Sequence, residues 1–186
     1  MEEPDLAHFQ SIPWCSALLQ DPTFVITPTD SRQPKASTED SLTAETLKTH
    51  NAIRACISFY KCPTPGESWI PEVRTLVTLG SGMNGFPDVL HGGIIATLMD
   101  DVMGILTITN ERHDGDPLSN GAVTAQLNVS YLKKVPTPAT VLVVARCREV
   151  TAKKYLMDAE IRDSEGVVLA KADSLWVRIK GRQPNL

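Results

Sequence analysis

Leu90-His91-Gly92-Gly93-Ile94-Ile95-Ala96-Thr97-Leu98-Met99-Asp100-Asp101-Val102-Met103-Gly104 decides how the rest of this chain is read. It is the longest apolar run in the sequence, yet a histidine and two glycines open it and two carboxylates sit in its interior. Pro87 stands just upstream, where a proline suits a chain turning into a helix. Residues 91–107 are helix formers or small, which predicts one helix of roughly 15–18 residues. A buried helix gains nothing from a pair of aspartates, so this conflict marks where function is expected.

Helix geometry sharpens the point. At about 100° per residue, the nine steps from His91 to Asp100 come to about 900°, which is half a turn out of phase. The two side chains point to opposite sides of their own helix. If both serve one site, a second copy of the helix supplies one of them. Around Asp100 the neighbours at helical spacing are small: Gly93, Ala96, Thr97 and Gly104. Small side chains let a backbone or a substrate come close. Ile95, Leu98, Met99, Val102, Ile105 and Leu106 form the face expected to pack on a sheet. The apolar segment is about 20 residues, long enough to span a bilayer. Two central aspartates cost about 2.5–3.5 kcal/mol each there, so no membrane span is expected.

With 186 residues the chain has length enough for one domain with a sizeable core. Its net charge of −4 gives no electrostatic case for nucleic acid. The acidic start Met1-Glu2-Glu3-Pro4-Asp5 lacks the basic and apolar regions of a secretory signal, and a cytoplasmic location is expected. Cys15, Cys56, Cys62 and Cys147 show no C-x-x-C spacing and no matching histidine cluster. They read as reduced thiols, some buried, with no metal site.

Residues 1–52 read as an irregular N-terminal extension packed on the domain. It offers one or two helical turns interrupted at Pro13, then a polar loop over the surface from 27 to 41 and a short helix at 43–48. Trp14 with Phe24, Val25 and Ile26 argues that it docks. Residues 53–60 and 72–79 read as strands, separated by a proline-rich loop at 62–71. Gly80-Ser81-Gly82-Met83-Asn84-Gly85-Phe86-Pro87 delivers the chain to the helix. After the helix, 110–121 is polar and rich in turn formers. Four β-rich segments follow at 122–135, 139–150, 155–163 and 167–179, with connections short enough to predict an antiparallel meander. The fold class is α+β: a long central helix wrapped by a curved antiparallel sheet over 53–180, then a C-terminal tail at 181–186.

This order of elements, His91-Gly92-Gly93 opening the helix, Asp100 nine residues on, and the strand Val123-Thr124-Ala125-Gln126-Leu127-Asn128-Val129-Ser130-Tyr131-Leu132 together resemble the hot-dog fold acyl-CoA thioesterases of the PaaI-like superfamily. The N-terminal extension is similar to that of uncharacterised fungal members. The resemblance implies a homodimer, or a tetramer built from dimers. Each active site then takes the His-Gly-Gly end of one subunit and the acid of the other, the same requirement that the half-turn offset sets.

On that resemblance Asp100 is the carboxylate that activates water, or attacks the thioester carbonyl itself. Asp101, about 100° further round the helix, orients a partner, holds a helix end or reaches solvent. Gly92 offers its backbone N–H to the thioester oxygen from a helix N-terminus, where that group is otherwise unpaired. Gly93 is a spacer beside the substrate. His91 anchors the helix end near the sulfur, and Thr124 aligns with a Ser or Thr that helps hold the attacking water. Asn84 stands where related enzymes carry an amide that contacts water or substrate. Lys133 and Lys134 are candidates for the phosphates of the CoA arm.

The expected function is hydrolysis of acyl-CoA or acyl-carrier-protein thioesters. Thiols leave readily, so no cofactor is expected beyond CoA as part of the substrate and product. The alternatives are enoyl-thioester hydration or dehydration, and a non-hydrolytic acyl-CoA-binding or scaffold protein.

Overall fold

The quoted stretch forms the front half of helix α3 (Gly92–Asp114), 23 residues or about 35 Å long. The computed structural model describes residues 3–63, 69–114 and 121–179. Helices α1 (Glu3–Gln10) and α2 (Pro13–Leu19) come first, and Pro13 sits at the start of α2, where a missing N–H costs nothing. Strands β1 (Phe24–Thr27), β2 (Ile53–Lys61) and β3 (Glu72–Leu79) precede a small hairpin of β4 (Asn84–Phe86) and β5 (Val89–Leu90). After α3 come β6 (Ala122–Tyr131), β7 (Ala139–Val150), β8 (Lys154–Arg162) and β9 (Val168–Arg178).

Seven strands pair antiparallel in the order β1-β2-β3-β7-β8-β9-β6, and α3 lies against one face of that sheet. Ile95, Leu98, Met99, Val102, Ile105 and Leu106 are all buried there, against Val73, Val77, Val141, Val143 and Ala145. Gly92–His113 is long and apolar enough to cross a membrane by length and composition, and half of it is buried inside this protein, the setting of a core helix. The opposite face of β2, β3 and β7 is covered by α1 and α2 through Phe9 and Cys15, packed on Ala55, Ile57, Phe59, Leu76 and Val144. Burying Phe9 alone contributes about 1.5–3 kcal/mol. Covered on both faces, β7 is buried without interruption from Val141 to Ala145 rather than in alternation.

Four sequence expectations are corrected. The last four strands are not a sequential meander: β6 pairs with β9 at the far edge, and β7 pairs with β3. The seven residues between β6 and β7 reach at most about 23–25 Å. That suffices to cross the end of a curved sheet, and the crossing is pinned by Leu90 N–H donating to Val135 and Thr137 N–H donating to Asp88. Second, residues 27–41 do not simply run over the surface, because Thr27 and Thr29 through Arg32 are buried. The Arg32 guanidinium donates to the carbonyls of Thr43 and Ile53, and Arg112 pairs with Asp30 at 2.6 Å. Third, the helix continues past 107. Asn110 is buried, donating to the Ile70 and Leu106 carbonyls and accepting from the Ile70 N–H, so a residue that reads as a turn former serves inside the helix. Fourth, the short helix expected at 43–48 is present but starts one residue earlier and ends two earlier, as a single wide turn over Leu42–Thr46.

The glycine-rich entry to the helix is needed for contact rather than for flexibility. A Cβ on Gly80 would stand 2.4 Å from the Asn51 carbonyl oxygen. Part of the proline-rich loop (64–68), most of the post-helix turn segment (115–120) and the C-terminal tail expected at 181–186 lie outside the described residues.

Candidate active site

His91 ends the approach to α3 and caps it. Its N–H donates to Met83, and its Nδ1 accepts the Gly93 N–H at 2.9 Å, the task that Ser or Asp performs at most helix starts. The His91 carbonyl accepts from Ile94 and Ile95. Of the first amides of the helix, Gly92 N–H is thus left without an acceptor among the described residues. It carries the positive end of a 23-residue helix dipole. Tyr131, at the end of β6, lies over it. The Tyr131 hydroxyl donates to the Gly92 carbonyl at 3.1 Å, and its ring stands 3.4 Å from where a Cβ on residue 92 would be. Gly93, by contrast, spends its N–H on His91 and is exposed.

Asp100 is half-buried about two turns further along the helix. Thr124 Oγ1 donates to its Oδ1 at 2.7 Å, and the second carboxylate oxygen has no protein partner among the described residues. Burial pushes the Asp100 carboxyl up, and the Thr124 hydrogen bond pulls it partly back. Asp101 turns toward the extension, where Ser31 Oγ donates to its Oδ2 at 2.9 Å. Burial raises Asp101 to about 6, helped by the nearby charges of Asp40 and Asp100 and opposed by the Ser31 bond and Arg32. A tied Asp101 and an open Asp100 give the two neighbouring acids different tasks.

Within one chain these parts do not meet. Gly92 and Asp100 are eight residues apart along the helix, about 12 Å, and open into separate clefts with no lining residue in common. The cleft at Gly92 is walled by Tyr131, Leu132, Lys133 and Lys134; both lysines are exposed at its edge. The cleft at Asp100 is walled by α3, the start of β6, Trp176 and the extension. Gly104, read from the sequence as part of the open face, lies against the ring of Trp176 of its own chain. Asn84 is engaged internally: its side-chain carbonyl accepts from Thr137 of the β6–β7 crossing. Among the described residues no group of three or more His, Cys, Asp or Glu is placed to hold a metal ion.

Three residues of this surroundings escaped the sequence reading: Tyr131, Trp176 and Ser31. Tyr131 closes the strand that carries Thr124, but at seven residues' distance strand alternation places the two on opposite faces, and a register irregularity after Thr124 intervenes. Nothing local marks Ser31, which lies 70 residues from the acid it touches.

Comparisons with known proteins agree with this architecture. Residues 88–170 match the family model of the thioesterase superfamily. Verlamelin biosynthesis protein B from a Lecanicillium species is 27% identical over 94% of this chain and 88% of that protein. Mouse acyl-coenzyme A thioesterase THEM4 is 27% identical over 61% of this chain, which spans less than half (46%) of its length. A Streptococcus mutans protein solved bound to acetyl CoA shares the fold with a TM-score of 0.52 at 23% identity, over 61% of this chain and 85% of that one. The central helix, the antiparallel sheet and the matched segment, which runs from the helix entry to the start of β9, show the hot-dog fold, and over residues 88–170 the chain resembles the thioesterase superfamily.

Proposed function

We propose that this chain hydrolyses acyl thioesters, those of coenzyme A or of a carrier protein, at sites formed between two copies. One observation carries the reading: an unpaired helix-terminal N–H at Gly92 and a half-buried, singly hydrogen-bonded carboxylate at Asp100 lie about 12 Å apart along one helix and open into separate clefts. Neither half is a hydrolytic site alone. Two antiparallel copies of the helix, side by side, bring each Gly92 to the partner's Asp100. The family match and the relative called an acyl-coenzyme A thioesterase support the thioester as the bond attacked.

Asp100 accepts a proton from a water molecule steadied by Thr124, and that water's oxygen attacks the carbonyl carbon. Negative charge moves to the thioester oxygen, where the other subunit's Gly92 N–H and helix dipole stabilise it. The C–S bond then breaks and the thiolate leaves without strong acid help. Lys133 and Lys134, beside Gly92, are placed to meet the phosphates of the CoA arm. His91 supports the site indirectly by holding the Gly93 amide.

The test is thiol release from a panel of acyl-CoAs by the purified protein, with Asp100→Asn as its control. Hydrolysis by the wild type, and a loss of about 10²–10⁴-fold in kcat with the fold and oligomer intact, is expected of a general base. Undiminished turnover in Asp100→Asn would overturn the assignment. Tight CoA-thioester binding without thiol release would favour a non-hydrolytic binder.

A further inference from the structure

The cleft that starts at Asp100 does not stop there. It continues along α3 toward its C-terminus, with Gly104 and Ile108 on one wall and Val123, Trp176 and Ile179 on another. Its third wall comes from the N-terminal extension, through Ser31 and Lys35. That wall is tied down: Ser31 is buried and bonded to Asp101, and Lys35 is held by Glu39 at 2.8 Å and Asp40 at 2.5 Å. The missing side chain of Gly104 leaves the Trp176 ring as the floor, 3.4 Å from the Cβ position. At the far end the apolar lining gives way to Glu111 and the Asp30–Arg112 ion pair.

We infer that this cleft is the acyl pocket, that the N-terminal extension is one of its walls, and that it selects uncharged acyl chains of medium length. The inference rests on the hydrolase reading above for the position of the carbonyl. From Asp100 to Ile108 the helix advances eight residues, about 12 Å. A hydrocarbon chain reaching further meets the ion pair, whose desolvation is unfavourable. Charge excludes a second class. The lining carries six carboxylates (Asp30, Glu39, Asp40, Asp100, Asp101 and Glu111) against two cations, Lys35 and Arg112, both of them already paired. An acyl group ending in its own carboxylate is repelled there.

The experiment compares kcat/KM for acetyl-, octanoyl-, palmitoyl- and succinyl-CoA in the wild type, Ile108→Trp and Arg112→Leu. The wild type prefers octanoyl-CoA and disfavours succinyl-CoA. Ile108→Trp lowers the octanoyl-to-acetyl ratio by about tenfold or more, and Arg112→Leu raises the palmitoyl-to-octanoyl ratio by a similar factor. Arg112→Leu strands the buried Asp30 carboxylate, so it is made together with Asp30→Asn, and Ile108→Trp provides the independent arm. An unchanged chain-length profile in both variants, or succinyl-CoA cleaved as well as octanoyl-CoA, overturns the inference. If the wild type cleaves no thioester at all, the hydrolase reading falls separately. The pocket is then judged by binding alone, from quenching of Trp176 fluorescence read against Trp176→Phe. Octanoyl-CoA binding at least about tenfold tighter than CoA in the wild type, and not in Ile108→Trp, sustains the pocket; equal binding ends it.

Discussion

Thr124 Oγ1 donates to Asp100 Oδ1 at 2.7 Å, joining the first turn of β6 to the middle of α3 across 24 residues of chain. The bond occupies one carboxylate oxygen and leaves the other toward the cleft. It also favours the ionised form of an acid that burial holds above the ordinary carboxylate range.

Thr124→Val removes that bond and pushes the Asp100 carboxyl higher still. The ionised base is present only above its pKa, so the acid limb of kcat/KM moves to higher pH in the variant. Activity at neutral pH falls by about tenfold, the worth of one hydrogen bond to a charged group. Thr124→Ser keeps the donor and preserves the profile. A pH–rate curve on the three proteins decides it, and superimposed acid limbs would show that Thr124 does not tune the base.

Shared sites predict recovery from two dead parents. Gly92→Pro deletes the N–H at a helix position that tolerates proline, and Asp100→Asn deletes the base. Mixed and reassociated, half the dimers are hybrids with one intact site each, so about a quarter of wild-type activity returns. Absence of recovery, with hybrid formation verified by native mass spectrometry, would place the whole site within one chain.

Asp101 sets a stability trend of unusual sign for an aspartate. Its folded pKa of about 6 exceeds the ordinary 3.8, so the native state binds more protons than the unfolded state between those values. Stability from this group therefore declines as pH rises through that window and stays lower above it. The ceiling is about 3 kcal/mol, which solvent on the open side of the cleft reduces to about 1 kcal/mol. Asp101→Asn still accepts from Ser31 and raises Tm at neutral pH by about 2–4 °C, with no gain at pH below 3.8. Equal gains at both pH values in thermal melts would contradict the raised pKa.

Gly80→Ala tests the entry to the helix. The added Cβ would meet the Asn51 backbone at 2.4 Å, and a carbonyl cannot rotate away as a side chain would. A loss of about 2–4 kcal/mol is expected by chemical denaturation. Gly92→Ala, whose Cβ meets the Tyr131 ring at 3.4 Å, should cost far less stability. Similar midpoints for the two variants would mean that the 51–80 contact yields.

Much of this protein is written in local patterns. The period of 3.6 over the apolar face of α3 placed the start of that helix but not its end, while the limits of β3 and β7 were read without error. The offset between His91 and Asp100 was legible too, because a helix fixes the angle between any two of its residues. Three features were not legible: β6 crossing to the far edge of the sheet, Arg32 buried within the extension, and His91 spending itself on Gly93 so that Gly92 N–H stays free. The first two depend on which distant groups meet, and the third on which way a single side chain turns. Periodicity fixes only which face of an element is apolar, while the buried polar groups of the folded chain choose partners tens of residues away.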